Sequence, residues 1–236
     1  MAANDALIRA YEAQSAFVRD RVVEFTLSVW AAARSFRDAD VDRIVGQIVP
    51  AVRAGQLQLA TLTDAYIGRL AQQSGVAWVP SLDRTVTAYR GVDSGTVYRR
   101  PAVSLYTALT AGEGFSRAVD VGRNRLQSIV STDLQQARNR QASRSVSGSG
   151  FHSFRRVLTG KEDCDLCRLA STHRYSRDDL MPIHPGCDCG VEPLIEPDRR
   201  PVEAAERVVV NIHGELGPTL GWAGEHFTSA ADIAAL

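Results

Sequence analysis

The sequence predicts an α+β protein: a mainly helical N-terminal part followed by a small β-containing domain of the zinc-knuckle kind. Three observations carry that expectation. Through residues 1–75 the apolar positions recur every three or four residues, the period of a helix packed on one side. The same period returns from Gly114 to Ser145. All four cysteines then fall between positions 164 and 189, in a stretch punctuated by Pro and Gly and flanked by short strand-like runs.

The first helix is marked by Leu7, Tyr11, Gln14, Val18, Val22, Phe25, Val29 and Trp30. Asp40 is the expected N-cap of a second helix, whose face carries Ile44, Ile48 and Val52. Pro50 is expected to kink or split it, because proline removes an amide donor and crowds the preceding turn. Leu59, Leu62, Tyr66 and Leu70 extend the face until Ser74-Gly75 ends it, giving a helical hairpin or small bundle. Residues 76–103 lose the period and hold Pro80, Gly91, Gly95 and Pro101, so an irregular connector is expected. The long helix that follows should bury Phe115, Val119, Leu126, Ile129, Val130, Leu134 and Ala137. Its arginines, Arg117, Arg123, Arg125, Arg138, Arg140 and Arg144, should lie largely elsewhere. Ser145 to Gly150 reads as a flexible break. Phe151–Leu158 is a strand candidate, Arg207–Ile212 another, and Ser229 with Asp232 suggests the cap of a last short helix. The expected organisation is 1–112, a helical region; 113–147, the long helix with its flexible end; 148–200, a Cys/His metal-binding domain; and 201–236, a tail.

The cysteines are spaced Cys164-x-x-Cys167 and Cys187-x-Cys189, with His184 just before the second pair. Two donors on each side of a loop can converge on one tetrahedral ion such as Zn²⁺. Cys164 and Cys167 supply one side; two of His184, Cys187 and Cys189 supply the other. Four ligands leave no position for a reacting water, so the zinc is expected to be structural. It would also supply folding energy to a domain with few apolar residues. Two disulfides are the competing reading of the same pattern, as are inert buried thiols. No charged and then apolar leader opens the sequence, which favours a compartment where thiols persist.

The 236 residues carry no net charge, yet residues 1–160 sum to +7 and residues 161–236 to −7. All but one of the 27 cations are arginine, the residue suited to phosphate and carboxylate recognition. The six arginines of the long helix are therefore the candidates for an acidic partner, a protein or sequence-independent DNA contact. No apolar run approaches 18 residues, so no membrane-spanning helix is expected.

Two stretches resemble a known family. Arg156-Val-Leu-Thr-Gly-Lys-Glu-Asp-Cys164-Asp-Leu-Cys167, Tyr175, and Leu180-Met-Pro-Ile-His184-Pro-Gly-Cys187-Asp-Cys189-Gly-Val-Glu-Pro193 are similar to the C-terminal motif of phage Mu F-like minor head proteins. His213-Gly-Glu-Leu-Gly-Pro218 resembles the actinobacteriophage branch, whose members often carry the label of capsid maturation protease. The resemblance spans about residues 115–225, and Asp188 departs from the arginine often found between the last two cysteines. It implies a low-copy virion component inside the head, made in the host cytoplasm, acting with portal, scaffold or major capsid protein in assembly.

Catalytic residues are not assigned. A protease is the alternative, yet no Gly-x-Ser-x-Gly elbow is present, Ser147-Gly-Ser149-Gly looks like linker, and paired thiols at metal spacing argue against a cysteine nucleophile. Tyr89-Arg90-Gly91 is similar to the arginine motif of the ADP-ribosyltransferases found fused in some relatives, but no Glu-x-Glu pair follows it.

Overall fold

The computed structural model describes residues 2–81, 92–158, 165–176, 189–195, 210–214 and 217–221. Long helices come first: α1 (Ala2–Ala31), α2 (Asp38–Ser74), α3 (Ser94–Thr110) and α4 (Phe115–Ser147). They are followed by β1 (Ser153–Val157), a short α5 (Asp165–Ser171), β2 (Arg174–Ser176), β3 (Gly190–Leu194), β4 (Val210–Gly214) and β5 (Gly217–Gly221). The class is α+β, mainly helical with a small three-stranded antiparallel sheet of order β2-β1-β3. A separate antiparallel hairpin joins β4 to β5, overlapping the strand expected at 207–212. The cap expected at Ser229 and Asp232 lies outside the described residues.

Two compact units divide the chain: Met1–Glu12 with Thr63–Leu82 and Asn139–Leu236, and Ala13–Leu62 with Asp83–Arg138. The second has a core of Trp30, Phe36, Ile48, Val52, Leu59, Leu105, Leu126 and Leu134, drawn from all four long helices. Trp30 is its largest member. Its ring lies 4.5 Å from that of Phe36 and its Nε1 donates to the Val119 carbonyl at 3.2 Å. Gly122 makes room for it, since a Cβ there would sit 2.5 Å from the indole and 2.9 Å from the Pro101 carbonyl.

Several expectations are corrected here. α1 contains no Gly or Pro and runs unbroken, but Phe25 is 46% exposed and Thr26 is fully buried in its place. Thr26 can be buried because its Oγ1 donates to the Val23 carbonyl at 2.9 Å, leaving no unmet polar atom. Phe115, expected on the buried side of α4, is likewise exposed, and Ala118 is buried instead. Pro50 does not split α2. Both Pro50 and Gly46, whose carbonyl loses its amide partner, are exposed, so water can satisfy that carbonyl while buried Ile48 and Val52 hold the helix on either side. Asp40 is not the cap but lies in the first turn of a helix that starts at Asp38. There the Ser35 hydroxyl and the Arg43 guanidinium donate to its carboxylate and hold its pKa below the usual carboxylate range. The connector expected to reach residue 103 gives way to α3 at Ser94, capped by the Asp93 carboxylate, which accepts from the Thr96 amide at 3.0 Å. Its buried residues, Val97, Tyr98, Pro101, Ala102 and Leu105, keep the helical period, so Pro101 is a packed core residue and not a breaker. α2 ends as expected, Gly75 adopting a positive φ of 65°.

In the first unit, the Ser/Gly stretch expected as a flexible break is tied by its backbone. Ser145–Ser147 complete α4, Ser149 bridges Trp78, and the Gly150 amide donates to the Ala77 carbonyl at 2.9 Å. Beneath it lies a buried polar cluster. The Asp64 carboxylate accepts from Ser145 Oγ at 2.5 Å, from the Ser81 amide at 3.2 Å and from Gln141 Nε2 at 3.3 Å. Removing the carboxylate would take this acceptor from the Ser145 hydroxyl and the Ser81 amide in a low-dielectric setting, where unmet polar groups cost most, while Gln141 Nε2 keeps the Ser81 carbonyl at 2.7 Å and Ser145 Oγ at 3.0 Å. Asp64→Ala is therefore expected to lower unfolding stability by about 2–4 kcal/mol in urea titration, with Asp64→Asn milder. A loss below about 0.5 kcal/mol would show that the cluster contributes no more than a surface contact.

Candidate metal centre

β1 alternates its side chains, so Phe154 and Arg156 share one face and Arg155 takes the other. On the outer face Arg155 pairs with Glu192, its cross-strand partner, at 2.5 Å. The inner face is covered by α5. Tyr175 on β2 stacks on Phe154, centroids 5.5 Å apart, and its hydroxyl donates to the Ala170 carbonyl near the end of α5 at 3.0 Å. These contacts fix α5, and with it Cys167, over the sheet.

Cys189 arrives from the other direction, immediately before β3. The register pairs Val157 with Gly190 and Arg156 with Val191, which carries Cys189 to the end of β1 beside Leu158. Cys167 and Cys189 pack in one cluster with Leu158, at 0% and 1% exposure. One sulfur from each cysteine pair is thus brought to the same buried place. Arg156, 3% exposed, donates from Nη1 to Cys167 Sγ at 3.4 Å.

β3 is in turn anchored within its unit. Tyr66 Oη donates to the Val191 carbonyl at 2.9 Å, and Tyr11 stacks on Tyr66 at 4.1 Å while sharing a hydrogen bond with Thr63 Oγ1. The Glu12 carboxylate lies against Gly190, in the space a Cβ would take, so a larger residue after Cys189 would displace the Glu12 side chain.

Cys164, His184 and Cys187 lie outside the described residues, and among those described no three His, Cys, Asp or Glu side chains group as metal donors. The two thiols that are described fit a soft divalent cation. They are sulfur donors, withdrawn from water, adjacent, and accompanied by a fixed positive charge. With Cys164 as the expected partner of Cys167, the ion would be held by those two, by Cys189 and by one of His184 and Cys187.

The arginines of α4 are distributed unevenly. Arg117, Arg123 and Arg144 are exposed, Arg125 and Arg140 half-buried. Arg138 is buried and donates to Gln135 Oε1 at 3.3 Å. Ser149, weighed as a nucleophile, donates its hydroxyl to the Val146 carbonyl at 2.7 Å and accepts from the Phe151 amide. His152 is exposed, and His173 shares a hydrogen bond with Thr172.

Sequence reasoning missed Arg156, Glu12 and Tyr66. The strand period gives a signal for Arg156, since it places that residue on the same face as Phe154. Nothing in the sequence alone points α1 or α2 at β3. No protein-family model, curated protein or solved structure matches the chain. Among the described residues no helix is long and apolar enough to cross a membrane.

Proposed function

We propose that this protein is a non-enzymatic minor head component of a tailed phage, in which a structural zinc ion pins a rigid knuckle onto a helical body. The observation that carries the reading is the buried meeting of Cys167 and Cys189, one from each pair of the motif that resembles the Mu F-like head proteins. Bound there, zinc would supply a closed four-coordinate link between the segments that bear the two pairs, with no open position for a catalytic water. The knuckle, built on β1–β3, is held to α1 and α2 through Glu12, Tyr11 and Tyr66. It thereby offers a fixed surface for the portal, scaffold or major capsid protein inside the head. Exposed Arg117, Arg123 and Arg144 provide positive charge for such a partner or for sequence-independent DNA contact.

The test is assembly of procapsids with and without the chain, followed by quantitation in procapsids and mature heads. The reading expects retention at defined low copy, with processing of scaffold unaffected by substitution of Ser147 or Ser149. Arg117, Arg123 and Arg144 changed together to Ala should lower incorporation several-fold while the far-ultraviolet spectrum stays the same. Disappearance of the chain on maturation, together with loss of scaffold cleavage on changing one Ser or His in a folded variant, would establish the protease instead.

A further inference from the structure

We propose that Arg156 is a positioning residue for the metal knuckle: its buried guanidinium orients the Cys167 sulfur and offsets the negative charge of a sulfur-rich ligand set. The inference rests on the metal reading above and adds what sits behind the ligands. An arginine that is 3% exposed on the inner face of a three-stranded sheet is costly unless its charge is met. Here a sulfur accepts from its Nη1 at 3.4 Å, within range for a sulfur acceptor. A metal with three or four thiolate ligands carries net negative charge, because two positive charges meet three or four negative ones. One guanidinium next to the cluster counters that excess where water cannot.

Geometry makes the role directional. Arg156 sits opposite Val191 in the β1–β3 ladder, two residues past Cys189. Cys167 hangs from α5 above it. The strand that carries Arg156 therefore lies against Cys167 of one pair and ends beside Cys189 of the other. Hydrogen bonds to ligand atoms of this kind set ligand orientation, and their loss typically weakens metal binding about 10–100-fold. Arginine suits the place better than lysine, since its planar fork stays charged when buried and loses less freedom per hydrogen bond.

The experiment uses the full chain with Co²⁺ and Zn²⁺ as probes, affinity being read by competition with a chromophoric chelator. The thiolate-to-cobalt absorption is read alongside. Arg156→Met keeps the apolar stem without charge, and Arg156→Lys keeps the charge without the fork. Arg156→Met is expected to bind about 10–100-fold more weakly, with a shifted thiolate-to-cobalt band, and Arg156→Lys to recover part of the affinity. A merely structural arginine would lower stability yet leave the band of the loaded site where it was. Equal affinity and an unchanged band in Arg156→Met would overturn the proposal while leaving the metal site standing. If Arg156→Met fails to fold even at saturating zinc, Arg156→Lys decides. Affinity within about tenfold of the parent supports the charge role, and a loss of a hundredfold or more overturns it. A parent chain that binds neither ion would sink the metal reading, and this proposal with it.

Discussion

Cys167→Ser is expected to abolish zinc binding and to melt the β2-β1-β3 sheet. The effect should be the largest of any single substitution in this chain. In small metal domains the metal-binding free energy is also folding free energy, on the order of 10–16 kcal/mol. The sheet has only 13 residues in its three strands, too few to stand without such a link. Hydrogen exchange should show loss of protection across 153–157, 174–176 and 190–194. Loss should also spread to the part of α2 around Tyr66, because that tyrosine gives its hydroxyl to β3. Amides around Leu126–Leu134, within the other unit's core, should keep their protection. Cys189→Ser should behave alike. A chelator that leaves every one of these amides unchanged would remove the structural role.

Trp30→Ala should give the largest loss in the helical core, about 3–5 kcal/mol, since truncating a buried aromatic removes both transfer energy and packing. Trp30 is 2% exposed, touches Phe36 and gives its indole N–H to the Val119 carbonyl. Gly122→Ala should cost about 1–3 kcal/mol by overpacking against the same indole. The two are coupled. In the Trp30→Ala background the added methyl group meets open space on that side, although the Pro101 carbonyl still crowds it at 2.9 Å. The cost of Gly122→Ala should therefore shrink by at least about 0.5 kcal/mol, the scale on which neighbouring sites depart from additivity. Strict additivity in thermal or urea unfolding would show that the close approach of Gly122 to Trp30 is not what limits residue size there.

The existence of α1, α2 and α4 was legible in the sequence; helix faces were legible only in part. The period found α1, α2 and α4 because each repeats apolar positions over many turns. It slipped where polarity and burial part company. Thr26 is buried with its hydroxyl satisfied by its own helix, and Phe25 takes the exposed neighbouring position. α3 was hidden by treating Pro101 as punctuation, although Val97, Tyr98, Ala102 and Leu105 around it keep the period. Proline is tolerated when its ring packs in the core and tertiary contacts outweigh the missing amide. The second half of α4 is polar and yet buried. Asp133 accepts from the Tyr98 hydroxyl, and Arg138 donates to Gln135, partners that no one-dimensional pattern contains. Of the candidate site, the spacing gave the two cysteine pairs, and the structure places Cys167 beside Cys189. Of the supporting residues, Arg156 left a signal in the strand period, whereas Glu12 and Tyr66 reach the site through long-range packing that no local pattern contains.

The most direct test of the account is the native mass of the full chain, purified without added metal and compared before and after denaturation with chelator. The account predicts a native species heavier by one zinc ion, which the chelator removes, leaving four thiols that react with alkylating reagent. A native species without metal, lighter by the hydrogens that two disulfides remove and inert to alkylation, would contradict it.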